Sequence, residues 1–226
     1  MSTTDLKQVA RDLESPNLRD RLLALVSLRE VDSEAAVPLI EKVLGDESLQ
    51  VRSMAIFALG VKPTDRNFGL LIELLEDPDY GIRADAAGAL GYLGDERALT
   101  PLIRLFYEDT DWLVRFSAAV SIGNLRDCDP RAEAVLRDAL NSEEVVIQHA
   151  AIAALGEIGA VEAVEDILRF ARSDDWLVRQ RLTEALGNLP TEKTVSALKF
   201  LAKDEHPQVA QSAAISLRRL EGQLLD

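Results

Sequence analysis

The chain has 226 residues, 47% of them apolar, and 39 acidic against 25 basic side chains give a formal net charge of −14. That length and apolar content are ample for a buried core and exclude a disordered polymer, while the acidic balance argues against general binding to a nucleic-acid backbone. A single cysteine, Cys128, excludes an internal disulfide, and the absence of a signal core or membrane-length apolar run sets the expectation of a cytoplasmic protein without membrane insertion.

Followed from the N-terminus, a segment rich in small residues recurs behind a Val-Arg or Ile-Arg pair. With that arginine as an anchor, equivalents fall at Arg19, Arg52, Arg83, Arg115, Gln148, Arg179 and Ala210, so the interval stays between thirty-one and thirty-three positions throughout. A near-constant period in this range is the signature of stacked helical repeats. Seven repeats follow, at roughly 1–31, 32–63, 64–94, 95–127, 128–159, 160–190 and 191–226, read as one domain. Each is expected to supply two helices, A and B. Helix B should start after Ser15, Ser48, Asp79, Asp111, Glu144, Asp175 and His206, most of which are good N-caps. Helix A is the preceding amphipathic stretch, such as RALTPLIRLFYED in the fourth repeat, EAVEDILRFARSD in the sixth and TVSALKFLAKD in the seventh. Pro63, Pro78, Pro130, Pro190 and Pro207 fall at the expected junctions, where a missing N–H costs least.

Within helix B the positions −1, +3, +7 and +10 from the anchor are apolar, as Val114, Ala118, Ile122 and Leu125 illustrate, and form the expected core stripe. A glycine at +8, missing from the first and last repeats, permits a tight turn or a close neighbour. The fourth and sixth repeats share the pentapeptide DWLVR, placing Trp112 and Trp176 at equivalent positions two repeats apart.

The pattern D-x-x-[VI]-R-x-x-A-A-x-A-L-G, present from Asp79 to Gly91, resembles HEAT-like repeats over essentially the whole chain, and more narrowly the phycobilisome-lyase type. The resemblance implies an all-α fold, a HEAT-like α-α superhelix of about seven helix pairs. The neighbourhoods EDPDYGIRADAAGALGYLGD, YEDTDWLVRFSAAVSIGNL and DDWLVRQRLTEALGNLP look similar to the non-bleaching-B phycobilisome degradation proteins of cyanobacteria. That resemblance implies phycobilisome disassembly through binding of phycobiliprotein subunits, phycocyanin or allophycocyanin, with the bilin phycocyanobilin as a candidate ligand. It also implies a place at the thylakoid surface through the phycobilisome. Relatives of the E/F type are bilin lyases, so attachment or detachment of phycocyanobilin is an alternative, and a generic protein scaffold is another. One departure stands out: Gln148 and Ala210 replace the anchor arginine, so an Asp–Arg ladder along the repeats would be interrupted there.

Positions −3, +1 and +5 of helix B share a face. In order they read Leu49-Ser53-Phe57, Tyr80-Ala84-Gly88, Trp112-Phe116-Val120, Val145-His149-Ala153 and Trp176-Gln180-Glu184. Large aromatics at the helix start with small residues beyond suit a groove for a flat tetrapyrrole or a helical partner; alternatively the tryptophans are structural wedges between repeats. The candidate binding set is Tyr80, Asp85, Trp112, Arg115, Phe116, His149, Trp176, Arg179, Gln180 and Glu184. Arginines could hold bilin propionates, or Arg115 and Arg179 could bond an acid of their own or a neighbouring repeat. His149 could serve as a proton donor or be a passive packed histidine. His149 and His206 lie far apart in sequence without a metal-ligand pattern, so no metal site or catalytic triad is expected. Cys128 in the RDCDP turn has no adjacent basic cluster and reads as a bystander thiol.

Overall fold

A computed structural model describes residues 5–126 and 129–223. Among these residues there are fourteen α-helices and no strand. They form two compact units, Met1–Pro101 and Leu102–Asp226, with the division inside α7. The N-terminal unit holds α1 (Leu6–Leu13), α2 (Leu18–Ser27), α3 (Ser33–Glu41), α4 (Leu49–Gly60), α5 (Asp65–Leu74) and α6 (Tyr80–Leu93). The C-terminal unit holds most of α7 (Leu99–Glu108), then α8 (Trp112–Asn124), α9 (Pro130–Ala139) and α10 (Val145–Glu157). It continues with α11 (Val164–Leu168), α12 (Trp176–Leu186), α13 (Glu192–Leu201) and α14 (Pro207–Gln223). Odd-numbered helices are the A helices and even-numbered ones the B helices, so the class is a HEAT-like α-α solenoid of seven pairs among the described residues.

The B helices begin where their capping residues dictate. The carboxylates of Asp79, Asp111 and Asp175 each accept the backbone N–H two residues on, at 2.8 Å in all three. The first repeat corrects the expected register. Its helix α2 starts at Leu18 with Asn17 as cap, not after Ser15, which makes Arg21 the anchor in place of Arg19. The anchor's own hydrogen bond identifies it. Nη1 of Arg21 donates to the carbonyl of Ser15, six residues back, at 2.9 Å. Arg52 and Arg83 do the same to Asp46 and Asp77 at 2.9 Å, and Arg179 to Ser173 at 2.7 Å. Gln148 Nε2 reaches Ser142 at 2.7 Å, so the amide preserves this bond where the guanidinium is missing. Ser15 itself turns to Asp20, bonding its carboxylate at 2.9 Å.

Stacking of successive B helices makes the core: α2 on α4 and α4 on α6 in one unit, α8 on α10, α10 on α12 and α12 on α14 in the other. Anchor −1 residues Val51, Ile82, Val114, Ile147, Val178 and Val209 are all buried, as are Ala118, Ile122 and Leu125 of the stripe. Four of the +8 glycines, Gly60, Gly123, Gly156 and Gly187, face the +6 residue of the following repeat. A β-carbon on Gly123 would lie 2.6 Å from that of Ala154, and one on Gly60 would lie 2.9 Å from that of Ala89. Those approaches are too short for any side chain, which is why a glycine stands there. Helix A of the sixth repeat departs from one continuous helix: α11 has five residues, flanked by 3₁₀ turns at Val161–Ala163 and Arg169–Arg172. At the second turn Arg169 donates to the carbonyl of Leu140 at 2.8 Å and to Asn141 at 2.7 Å, tying this repeat to the one before.

Candidate functional site

The face defined by −3, +1 and +5 leaves apolar side chains uncovered in both units. In the N-terminal unit Leu49, Phe57 and Tyr80 are exposed, and so is Leu18, the −3 residue of the corrected first repeat. Phe57 meets Tyr92 edge-on, ring centroids 5.8 Å apart at 79°. Tyr92, 68% exposed, and Val61 lie one turn past +5 on the same stripe. Both are absent from the sequence-based set, although the i, i+4 rule extended by one turn finds them. Asp85 is half-buried at +2 on α6.

In the C-terminal unit Trp112 is 49% exposed and Trp176 is 37% exposed. Neither is a buried wedge. Trp176 stacks one face on His206, at 4.1 Å between centroids and 12° between planes, and turns the remainder to solvent. Phe116 and His149, the +1 residues of α8 and α10, are half-buried. Nε2 of His149 stands 4.0 Å from the carboxylate of Asp175. Burial pushes the imidazole below its ordinary value; Asp175 opposes that shift and Arg181 adds to it.

The two candidate anchor arginines are engaged within the fold. Nη2 of Arg115 lies 2.8 Å from Glu144 of the next repeat. Arg179, 8% exposed, forms a fork with Asp204 at 2.8 and 2.9 Å and also donates to the Ser173 and Asp174 carbonyls. Its guanidinium holds the Asp204 carboxyl below the usual range. The same cross-repeat pairing joins Arg21 to Asp46 at 2.9 Å and Arg52 to Asp79 at 3.8 Å. Gln180 and Glu184 are bonded to each other at 3.2 Å, and Arg181 pairs with Glu184 at 2.8 Å. Both Gln180 and Glu184 line a cavity of about 550 Å3 beside α14, together with Asn188, Gln208, Gln211 and Arg219.

The ten sequence-derived candidates therefore divide. Tyr80 and Asp85 belong to the N-terminal unit. Trp112, Phe116, His149 and Trp176 occupy equivalent face positions on three stacked helices of the C-terminal unit, Gln180 and Glu184 line its cavity, and Arg115 and Arg179 clamp neighbouring repeats. Cys128 lies outside the described residues. Among the described residues no three His, Cys, Asp or Glu side chains come together as metal ligands, and no helix is long and apolar enough to cross a membrane.

Residues 69–146 and 133–218 match the family model described as HEAT repeats. Among curated proteins, the protein is 24% identical to deoxyhypusine hydroxylase-B of Oryza sativa subsp. japonica, over 96% of its own length and 80% of that protein. It is 35% identical to phycocyanobilin lyase subunit alpha of Picosynechococcus, over 51% of its own length and 47% of that protein. Among solved structures, it is similar to the complex of CpcE and CpcF of phycocyanin lyase from Nostoc, with a TM-score of 0.61 and 20% identity, matched over 97% of its own length and 96% of the other.

Proposed function

The protein belongs to the HEAT-repeat family, and on that premise we propose that it binds phycobiliprotein subunits and acts in phycobilisome disassembly through that contact. The observation that carries the reading is the uncovered −3 row: Leu49 and Tyr80 in one unit, Trp112, Val145 and Trp176 in the other, all exposed at the first residue of a B helix. Large apolar side chains repeated at one register on stacked helices present separate anchors to a partner, and tryptophan and tyrosine are the side chains most often found at interface centres. The 35% identity to a phycocyanobilin lyase subunit suggests the class of partner. Phycocyanin and allophycocyanin are the subunits to test, and phycocyanobilin is the candidate small ligand.

The same identity favours a second reading, a subunit of a bilin lyase that makes or breaks the thioether bond of phycocyanobilin. One experiment separates the two. The purified protein is mixed with phycocyanin, with allophycocyanin, and with phycocyanobilin plus a phycocyanin subunit lacking its bilin; co-elution, absorbance and covalent bilin are then recorded. Binding to the intact phycobiliproteins without covalent transfer supports the first reading. Transfer to the bilin-free subunit supports the second. Co-elution with none of them removes the phycobilisome from both.

A further inference from the structure

The cavity beside α12 and α14 carries chemistry that the apolar row does not use. Gln180 on α12 and Asn188 just past its end, with Gln208 and Gln211 on α14, bring four carboxamides to one opening of about 550 Å3. Gln180 is bonded to Glu184; among the described residues the side chains of Asn188, Gln208 and Gln211 have no protein partner. A carboxamide offers a donor and an acceptor side by side, the complement of a peptide unit. Gln180, Glu184 and Asn188 succeed one another at intervals of four residues, so the lining runs about 12 Å along the helix axis, the span of about four extended residues.

Charge gives the segment a second feature. Glu184 is held by Arg181 at 2.8 Å and Glu157 by Arg126 at 3.6 Å. Arg219, which lines the same cavity, has no carboxylate within ion-pair distance among the described residues. The uncompensated charge at the opening is therefore positive, in a protein whose net charge is −14. Ile215, exposed between the polar groups, adds one apolar contact.

We propose that this cavity binds an extended peptide segment of a partner protein, with its backbone paired to Asn188, Gln208 and Gln211 and a carboxylate of the segment on Arg219. The cavity continues the same face through its +1 and +5 positions, one turn on from Trp176, but uses none of the −3 side chains, so its test does not depend on whether that row binds a phycobiliprotein. The carboxylate belongs either to an acidic side chain or to a free C-terminus.

The full-length protein is titrated with a fluorescein-labelled hexapeptide of alternating valine and threonine ending in a free carboxylate, followed by anisotropy. Saturable binding is expected, and methylating alternate backbone nitrogens should weaken it about tenfold or more, since each removes a donor. Amidating the C-terminus should weaken binding as well. Recovery by a glutamate placed next to the amidated end assigns the carboxylate to a side chain; no recovery assigns it to a terminus. Gln208→Leu with Gln211→Leu should weaken the free-acid peptide about tenfold, and Arg219→Gln should abolish the difference between acid and amide. Circular dichroism checks that these variants fold, and the peptide comparison on the unaltered protein decides if one does not. Equal binding of the methylated and plain peptides, no binding of the plain peptide at about 1 mM, or equal binding of acid and amide would overturn the assignment.

Discussion

Replacing Arg179 by leucine should be among the most damaging single changes in the C-terminal unit. Its side chain is 9% exposed, as is that of Asp204, and the two make a fork of 2.8 and 2.9 Å. In Arg179→Leu the Asp204 carboxylate keeps only the backbone N–H of His206, at 2.9 Å, and the Ser173 carbonyl loses its donor at 2.7 Å. Removing one partner of a buried pair costs about 3–5 kcal/mol, because the remaining charge is stranded. Arg179→Gln should cost about 1 kcal/mol less than leucine, because Gln148 shows that an amide can reach the same carbonyl. Adding Asp204→Leu to Arg179→Leu should recover part of the loss by removing the stranded charge. Urea unfolding followed by circular dichroism, on the single variants and the pair, measures all three. A loss under about 1 kcal/mol for Arg179→Leu, the scale of an exposed pair, would refute the idea that the anchor clamps the stack. So would equal losses for leucine and glutamine.

Gly123→Ala and Gly88→Ala, both inside B helices, should shift the melting temperature in opposite directions. The first meets Ala154 at 2.6 Å and should cost about 1–3 kcal/mol, whereas the second meets nothing within 4 Å and should stabilise by about 0.5–1 kcal/mol. Because burial lowers the His149 pKa in the folded state, its contribution is present above the ordinary value of 6.5 and is lost as pH falls through the depressed value. Thermal melts should therefore show stability declining below pH 6.5, with a shallower decline in His149→Gln; identical slopes would contradict the assignment. Trp112→Ala, at a half-exposed site, should cost only about 1 kcal/mol of stability while weakening phycocyanin binding about thirtyfold. Trp176→Ala should cost about 1 kcal/mol more, the worth of its stack on His206; unchanged phycocyanin binding in both folded variants would dismiss the row as a docking surface.

The repeat is legible in the sequence because period, caps and small residues all point to one arrangement. Asp79, Asp111 and Asp175 mark helix starts through their own side chains, so local sequence suffices there. The first repeat misleads because it offers two arginines, Arg19 and Arg21, and two capping residues, Ser15 and Asn17; only the bond to the carbonyl of Ser15 separates them. Which residues share a face follows from helical spacing, but what each touches depends on the neighbouring repeat. The stack of Trp176 on His206 joins residues thirty apart in sequence, and the Arg179–Asp204 fork joins residues twenty-five apart. Nothing in either short segment announces its partner. The polar cavity is half visible, as Gln180 and Glu184; its other wall lies on α14, where the same register counted from Ala210 marks Gln211 at +1 and Ile215 at +5 but leaves Gln208 unmarked.

The anchor bond bears on how a protein of this kind changes length. Arg21, Arg52, Arg83 and Arg179 each close a turn made wholly of their own repeat, by reaching six residues back, and Arg21, Arg52 and Arg179 also pair with an acid of the repeat that follows. A break at the same register before a helix A thus leaves that turn intact and, of the anchor's own bonds, removes only the pairing with the next repeat. Duplicating or excising one whole period, the equal intervals from Arg21 to Arg52 and from Gln148 to Arg179, would rejoin like to like. Lineages carrying this module can therefore grow or shrink by whole repeats through unequal recombination, without inventing a new junction each time.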